Sequence, residues 1–394
     1  MKISGAGCCL IDSIYMGCSY QDEAYGKLWS KEPGDGGLIE GGLVFSEDLT
    51  KFANRPYTEI LEDLTQGREP DVVNLGGPAV VALVHASQIL AEEGVEVSFH
   101  GAVGQDELAN KVRDALENTP LKSYLKEIPG HRTPTTEVFD DPSQRDGKGE
   151  RSFINTIGAA GYFGSNDLDE SFYDADLILL GGTALVPQLH DELDTVLAKA
   201  KERGIITVVG TVYDFRNERA NPGQRWPLGS DAAYNHIDLL LVDEEEAYKL
   251  SGKSDIYEAA DELIRFGVGA LIITRGALDM LVYSTGKMIA QHDLASMPVN
   301  TYIDDLMLAD PSLRKDTTGC GDNFVGGALV ALANHFKNPG DKQLEMREIC
   351  AWGATSGGYT CLYHGGTYHE SEVGEKARLL QPALEAYRKM TEGM

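Results

Sequence analysis

The sequence predicts an α/β protein: a doubly wound, mostly parallel sheet flanked by helices, with a small β-rich lid. Three observations predict it. Short β-like apolar runs alternate with amphipathic stretches of helical spacing over most of the chain. Glycines and acidic residues fall just past those runs, where ligands collect in parallel sheets. Two segments, 17–72 and 131–157, break the alternation and are long enough to serve a site rather than merely connect elements.

In chain order, Val95–Val103 reads as a strand and Asp106–Leu116 as the helix behind it. Leu177–Leu180 is a strand, and Asp191–Arg203 a helix ended by Gly204, whose freedom at positive φ suits a helix stop. Ile205–Val209 and Leu239–Val242 are further strands. Glu244–Leu250 is a helix stopped near Gly252, Ile256–Phe266 another helix, and Ala270–Thr274 a strand. Phe324–Phe336 is the helix behind a glycine-rich loop. The region 17–72 is rich in glycine, acidic and aromatic residues, with a β-like run at Gly42–Phe45 and a helical stretch near Thr58–Leu64. The region 131–157 reads as a hairpin around the polar turn Asp140–Gly149. The whole chain, 1–394, is expected to form a single domain carrying these two lid segments. Asn300–Lys315 interrupts the pattern just before the glycine loop and reads as a surface excursion rather than a pocket wall.

Composition narrows the function classes. The chain has 394 residues, 42% apolar and 24% charged, as a soluble globular protein would. Its net charge of −28, from 62 acidic and 34 basic residues, repels nucleic acid and anionic membranes. No apolar run approaches a membrane span, and the N-terminus does not read as a secretion signal. Six cysteines without zinc or C-x-x-C spacing fit free thiols in a reducing cytoplasm.

The chemistry concentrates at Asp316-Thr317-Thr318-Gly319-Cys320-Gly321-Asp322, which runs straight into an apolar helix. Glycines flanking one small residue expose consecutive N–H groups, and a helix N-terminus favours an anion there. Asp322 would be misplaced if the loop only held phosphate. It fits a carboxylate that takes the proton of an attacking hydroxyl while the loop steadies a phosphoryl group in flight. This stretch resembles the C-terminal signature, D-T-x-G-A-G-D, of the ribokinase (PfkB) family of carbohydrate and nucleoside kinases, with Cys320 in place of alanine. Leu75-Gly76-Gly77-Pro78 followed by Gly101-Ala102-Val103-Gly104-Gln105-Asp106 resembles the family's first signature, although Val80 and Val81 stand where an asparagine is usual. Asn74, just upstream, is a candidate to supply the missing polar contact. Gly149-Glu150-Arg151 matches the family's G-E-R element.

The resemblance implies an ATP-dependent kinase acting on a hydroxyl of a small sugar or polyol. By resemblance, Asp322 is the catalytic base, and Gly319, Cys320 and Gly321 form the anion hole. Asp12, read as the end of one strand running from Ile3, grips substrate hydroxyls together with Gly76 and Gly77. Thr274, Arg275 and Gly276 form the nucleotide loop. Glu246, and Asp243 in place of the family's asparagine, organise Mg²⁺ for ATP. Trp352–Tyr363 with Gly365-Gly366 matches the segment bordering the adenine pocket and a monovalent-cation site; a K⁺ requirement and a homodimer are left open. A nucleoside kinase and a catalytically silent sensor are the alternatives. Cys320, a thiol between glycines at a helix N-terminus, is expected to be acidic and reactive.

Overall fold

Several strands are apolar without alternation because helices cover both faces of their sheet. Leu177, Leu179, Leu239 and Leu271, from three different strands, are fully buried. The computed structural model describes residues 1–394 apart from 33, 145–148, 338–339 and 341. Its first strands are β1 (Lys2–Gly7), β2 (Leu10–Tyr15), β3 (Leu43–Phe45), β4 (Val72–Gly76) and β5 (Glu96–Val103). Then come β6 (Lys122–Glu127), β7 (Thr135–Asp141), β8 (Glu150–Thr156), β9 (Leu177–Gly181) and β10 (Ile206–Gly210). The last are β11 (Leu239–Asp243), β12 (Ala270–Arg275), β13 (Leu278–Ser284) and β14 (His292–Met297).

Among the described residues, nine strands form the large sheet in the order β14-β13-β12-β11-β10-β9-β1-β5-β6. It is parallel from β6 through β12 and antiparallel at the β13–β14 edge. The chain winds from β1 to β5 and β6, then returns to β9 on the other flank of β1. That reversal opens a crevice at the carboxyl ends of β1 and β9. Two large apolar cores lie on either face of this sheet. The doubly wound reading is the fold observed.

The second sheet has the order β3-β8-β7-β2-β4. The expected hairpin is present, with β7 and β8 antiparallel from Thr135–Thr156 to Asp141–Glu150; part of its turn lies outside the described residues. Segment 17–72 packs on this sheet through its own small core, in which Tyr25, Leu28, Leu38, Leu49 and Ile60 meet Phe139 and Ile154. The helical stretch near Thr58–Leu64 is the Tyr57–Thr65 helix, preceded by a second helix, Ser46–Ala53.

Two sequence expectations need correction. The run from Ile3 to Asp12 is not one strand. It breaks at Cys8-Cys9, β1 staying in the large sheet and β2 crossing to the second, so Asp12 sits inside a strand rather than at its end. Both halves are apolar, so periodicity cannot register the break; at it the chain passes so close to Gly77 that a Cβ there would lie 2.3 Å from the Cys8 carbonyl oxygen. Asn300–Lys315, in turn, is no surface excursion. Asn300 caps a helix, Thr301–Ala309, and its amide donates to Thr355 Oγ1 at 2.8 Å and to the Ala383 carbonyl at 3.0 Å. Ile303 is fully buried, and this helix forms one wall of an apolar-lined cleft beside the glycine loop.

Candidate active site

The glycine loop is built by a short chain of local causes. Gly319 adopts φ +78°, and a Cβ there would lie 2.4 Å from Gly366 Cα, so only glycine fits. The helix Cys320–Lys337 starts at the next residue. In that first turn the N–H groups of Gly321 and Asp322 have no partner within the helix, as at any helix N-terminus. Asp316 fixes the loop's entry: its Oδ1 accepts from Thr318 N at 2.9 Å and from Arg151 at 2.6 Å, and its Oδ2 from Gly365 N at 3.1 Å. Burial would raise the Asp316 carboxyl, but the Arg151 hydrogen bond and these N–H groups outweigh it and hold it below its ordinary value.

Asn323 fixes the loop from beneath. Its amide donates to the Gly319 carbonyl at 2.9 Å and the Gly366 carbonyl at 2.8 Å. Its oxygen accepts from Lys376 Nζ at 3.1 Å. Lys376 is 1% exposed, and burial brings its ammonium down to about 7.

Three carboxylates gather in the crevice. Burial in the cleft pushes Asp322 up to about 6, although part of its side chain reaches solvent. Asp12, from β2, is pushed up to about 7 by burial and then by the charge of Asp322. Glu246 is raised to about 7 by burial and by Asp243, with a further contribution from Asp322. These influences bring Asp12, Asp322 and Glu246 into one electrostatic neighbourhood. Gly76 and Gly77 adjoin Asp12: a Cβ on Gly76 would fall 2.1 Å from Asp12 Oδ2.

Asp243 and Glu246 form a capping box, Glu246 N donating to Asp243 Oδ1 at 2.7 Å and Asp243 N to Glu246 Oε2 at 3.0 Å. Thr211 also donates to Glu246 Oε2, at 2.5 Å. Both bonds accepted by the Glu246 carboxylate fall on Oε2, so a hard carboxylate oxygen remains for a cation. Among the described residues no three His, Cys, Asp or Glu side chains converge as a metal cage. This donor set fits Mg²⁺ held largely through its own waters.

A cavity of about 380 Å³ joins the turn after β12 to the glycine loop. Thr274, Arg275 and Gly276 line one end, Cys320 and Gly321 the other. Ile303, Met307 and Phe324 give it apolar walls, and Ala354, Gly357 and Gly358 from the Met346–Thr360 helix leave room for a flat ring. Arg275 is anchored by Glu244 at 3.1 Å.

A model described as pfkB family carbohydrate kinase matches residues 53–372. The chain belongs to this family. It is 27% identical over 304 residues to a probable chloroplastic fructokinase-6 of Arabidopsis thaliana, covering 74% of this chain and 70% of that protein. It is 23% identical over 276 residues to an adenosine kinase of Schizosaccharomyces pombe, covering 68% and 76%. The adenosine kinase from Schistosoma mansoni in complex with 2-fluoroadenosine superposes with a TM-score of 0.69 at 14% identity, over 93% of this chain and 97% of that one. At that identity the likeness shows the fold alone.

Within this PfkB-family frame two sequence expectations change. Asn74 does not replace the missing asparagine, because its amide is spent on the His364 and Thr367 carbonyls. Val80 and Val81 are buried in the core and offer no polar contact. Cys320 is not the acidic thiol. Its Sγ lies 3.5 Å from Cys361 Sγ, and the hydrogen bond between them pushes Cys320 up while bringing Cys361 down to about 7, helped by Arg314. Sequence reasoning also passed over Arg151 as a site residue and missed Asn323, Lys376 and Cys361. The G-E-R motif flagged Arg151 as familial; nothing local could reveal partners 165, 53 and 41 positions away.

Proposed function

We propose that this protein is an ATP-dependent phosphotransferase that moves the terminal phosphoryl group of ATP to a hydroxyl of a small sugar or sugar-like polyol. The observation that carries the reading is the cavity ending on Cys320 and Gly321 of the glycine loop, with Asp322 next in the same helical turn.

In this reading the acceptor sits over the Gly76-Gly77 turn under the second sheet, which acts as a lid. Asp12 accepts hydrogen bonds from its hydroxyls, as a carboxylate can from several donors. Asp322 takes the proton from the attacking oxygen as that oxygen closes on phosphorus. The N–H groups of Gly319, Gly321 and Asp322 stabilise charge developing on the phosphoryl oxygens, that of Cys320 being held by the Thr317 carbonyl at 3.3 Å. The adenine ring lies between the Thr301–Ala309 and Met346–Thr360 helices, and Thr274, Arg275 and Gly276 bound the nucleotide. Glu246 and Asp243 would steady Mg²⁺ through water, and that ion supplies charge neutralisation on the ATP phosphates.

Likeness to both fructokinases and adenosine kinases makes a nucleoside the second acceptor class, and the long segment ahead of Gly76 adds to it. A coupled ADP-release assay with Mg-ATP against hexoses, pentoses, keto-deoxy acids, inositols and nucleosides separates the two. Asp322→Asn should cut turnover by roughly 10²–10⁴-fold while barely changing ATP affinity. Near-wild-type turnover in that variant removes Asp322 as the base. Silence across the panel despite ATP binding makes the protein a non-catalytic member of the family.

A further inference from the structure

All six cysteines are free, and four of them, Cys8, Cys9, Cys18 and Cys350, are buried. The other two face each other. Cys320 sits in the first turn of its helix, inside the anion hole, and Cys361 closes the C-terminal end of the Met346–Thr360 helix. Their sulfurs are 3.5 Å apart and both line the nucleotide cavity, so a small oxidant can reach them by the route a nucleotide would take. The Cys361 carbonyl accepts from Lys315 N at 2.8 Å, which ties its backbone to the segment feeding the glycine loop.

We propose that Cys320 and Cys361 are a redox-modification site, oxidised by peroxide to a disulfide that closes the nucleotide cavity. The inference rests on the kinase reading for its functional consequence, though not for the chemistry of the pair. The thiolate forms on Cys361, which shares the cavity wall with Arg314 and lies 3.5 Å from the Cys320 sulfur. It attacks one oxygen of hydrogen peroxide, giving a sulfenic acid and releasing hydroxide, which takes up a proton to become water. Cys320 then gives up its proton and attacks the Cys361 sulfur. The S–S bond forms, the S–O bond breaks, and a second water leaves. Two electrons pass from the thiol pair to the peroxide, and a dithiol reductant reverses the change.

The bond needs the sulfurs to close from 3.5 Å to about 2.05 Å. Cys320 has little room to move without its neighbours. Its N–H donates to the Thr317 carbonyl at 3.3 Å, the next two N–H groups, of Gly321 and Asp322, are those of the proposed anion hole, and Gly319 is already packed on Gly366. Oxidation therefore drags the anion hole toward Cys361 and places a disulfide across the space for the triphosphate.

The test treats reduced, desalted full-length protein with stoichiometric hydrogen peroxide. Peptide mapping, turnover and retention of a fluorescent ATP analogue are then followed before and after dithiothreitol. The expected result is a Cys320–Cys361 linked peptide, loss of most turnover and analogue binding, and recovery of both on reduction. Cys361→Ser and Cys361→Ala, each compared with its own untreated sample, should keep their activity through the same treatment. Absence of the link, or a link that leaves analogue binding intact, overturns the proposal. If the reduced protein transfers phosphoryl to no acceptor, the kinase reading falls, and the peptide map and analogue retention on wild type still decide the thiol pair.

Discussion

Placing Asp12, Asp322 and Glu246 in one crevice sets stability against function at single residues. Each carboxyl titrates above its ordinary value, Asp322 at about 6 against 3.8. A group with a raised folded value binds its proton more tightly in the folded chain. Its ionisation therefore costs stability progressively as pH rises from about 4, and the cost is complete above about 6. Asp322→Asn removes that cost. The variant should melt higher than wild type at pH 8, and the gap should shrink as pH falls through 6 toward 4. Calorimetry of both proteins across that range checks it; a gap independent of pH would mean that Asp322 is not desolvated in the cleft. Wild-type turnover has the opposite need, since the base must be unprotonated, and should fall as pH drops through about 6.

At the scale of elements, one side chain ties the second sheet to the glycine loop. Arg151, on β8, bonds Asp316 at the entry to the glycine loop and Thr318 Oγ1 at 3.1 Å. Its side chain is 26% exposed, against 1% for Asp316. Arg151→Met strands a buried carboxylate. Breaking a fully buried pair costs about 3–5 kcal/mol, so this partly exposed one should cost about 2–3 kcal/mol. Urea denaturation measures that loss, and kcat should fall with it because the loop's entry is released. Arg151→Lys, which keeps charge but not the forked geometry, should lie between. No loss of stability in Arg151→Met would show that Thr318 and Gly365 alone hold the loop. This scale also marks where the sequence was readable. The parallel strands, the β7–β8 hairpin and the glycine loop announced themselves through periodicity, turn residues and a helix start. The Cys8-Cys9 break and the helix at Thr301–Ala309 did not. At one, Gly77 meets Cys8 across the chain; the other depends on Asn300 reaching Thr355 and Ala383. Such residues are chosen by partners remote in sequence, and local pattern carries no trace of them.

The whole molecule works against its own proposed substrate. With 62 acidic and 34 basic residues it carries −28, and ATP is an anion. The cavity answers locally, with Arg275 and Arg314 in its wall and backbone N–H groups at its end. The two fields differ in range. Charges spread over the surface act across tens of ångströms and are screened once the Debye length falls to about 10 Å, near 0.1 M salt. Groups that touch the phosphates are screened far less. Raising NaCl from about 20 mM to about 200 mM should therefore remove more repulsion than attraction. KM for Mg-ATP should fall and the melting temperature should rise over that interval, with kcat unchanged. Running the series in KCl as well isolates a specific cation, since only an ion bound at the site would raise kcat in one salt and not the other. A KM that climbs with salt would mean that the basic wall, not the net charge, governs the approach of the nucleotide.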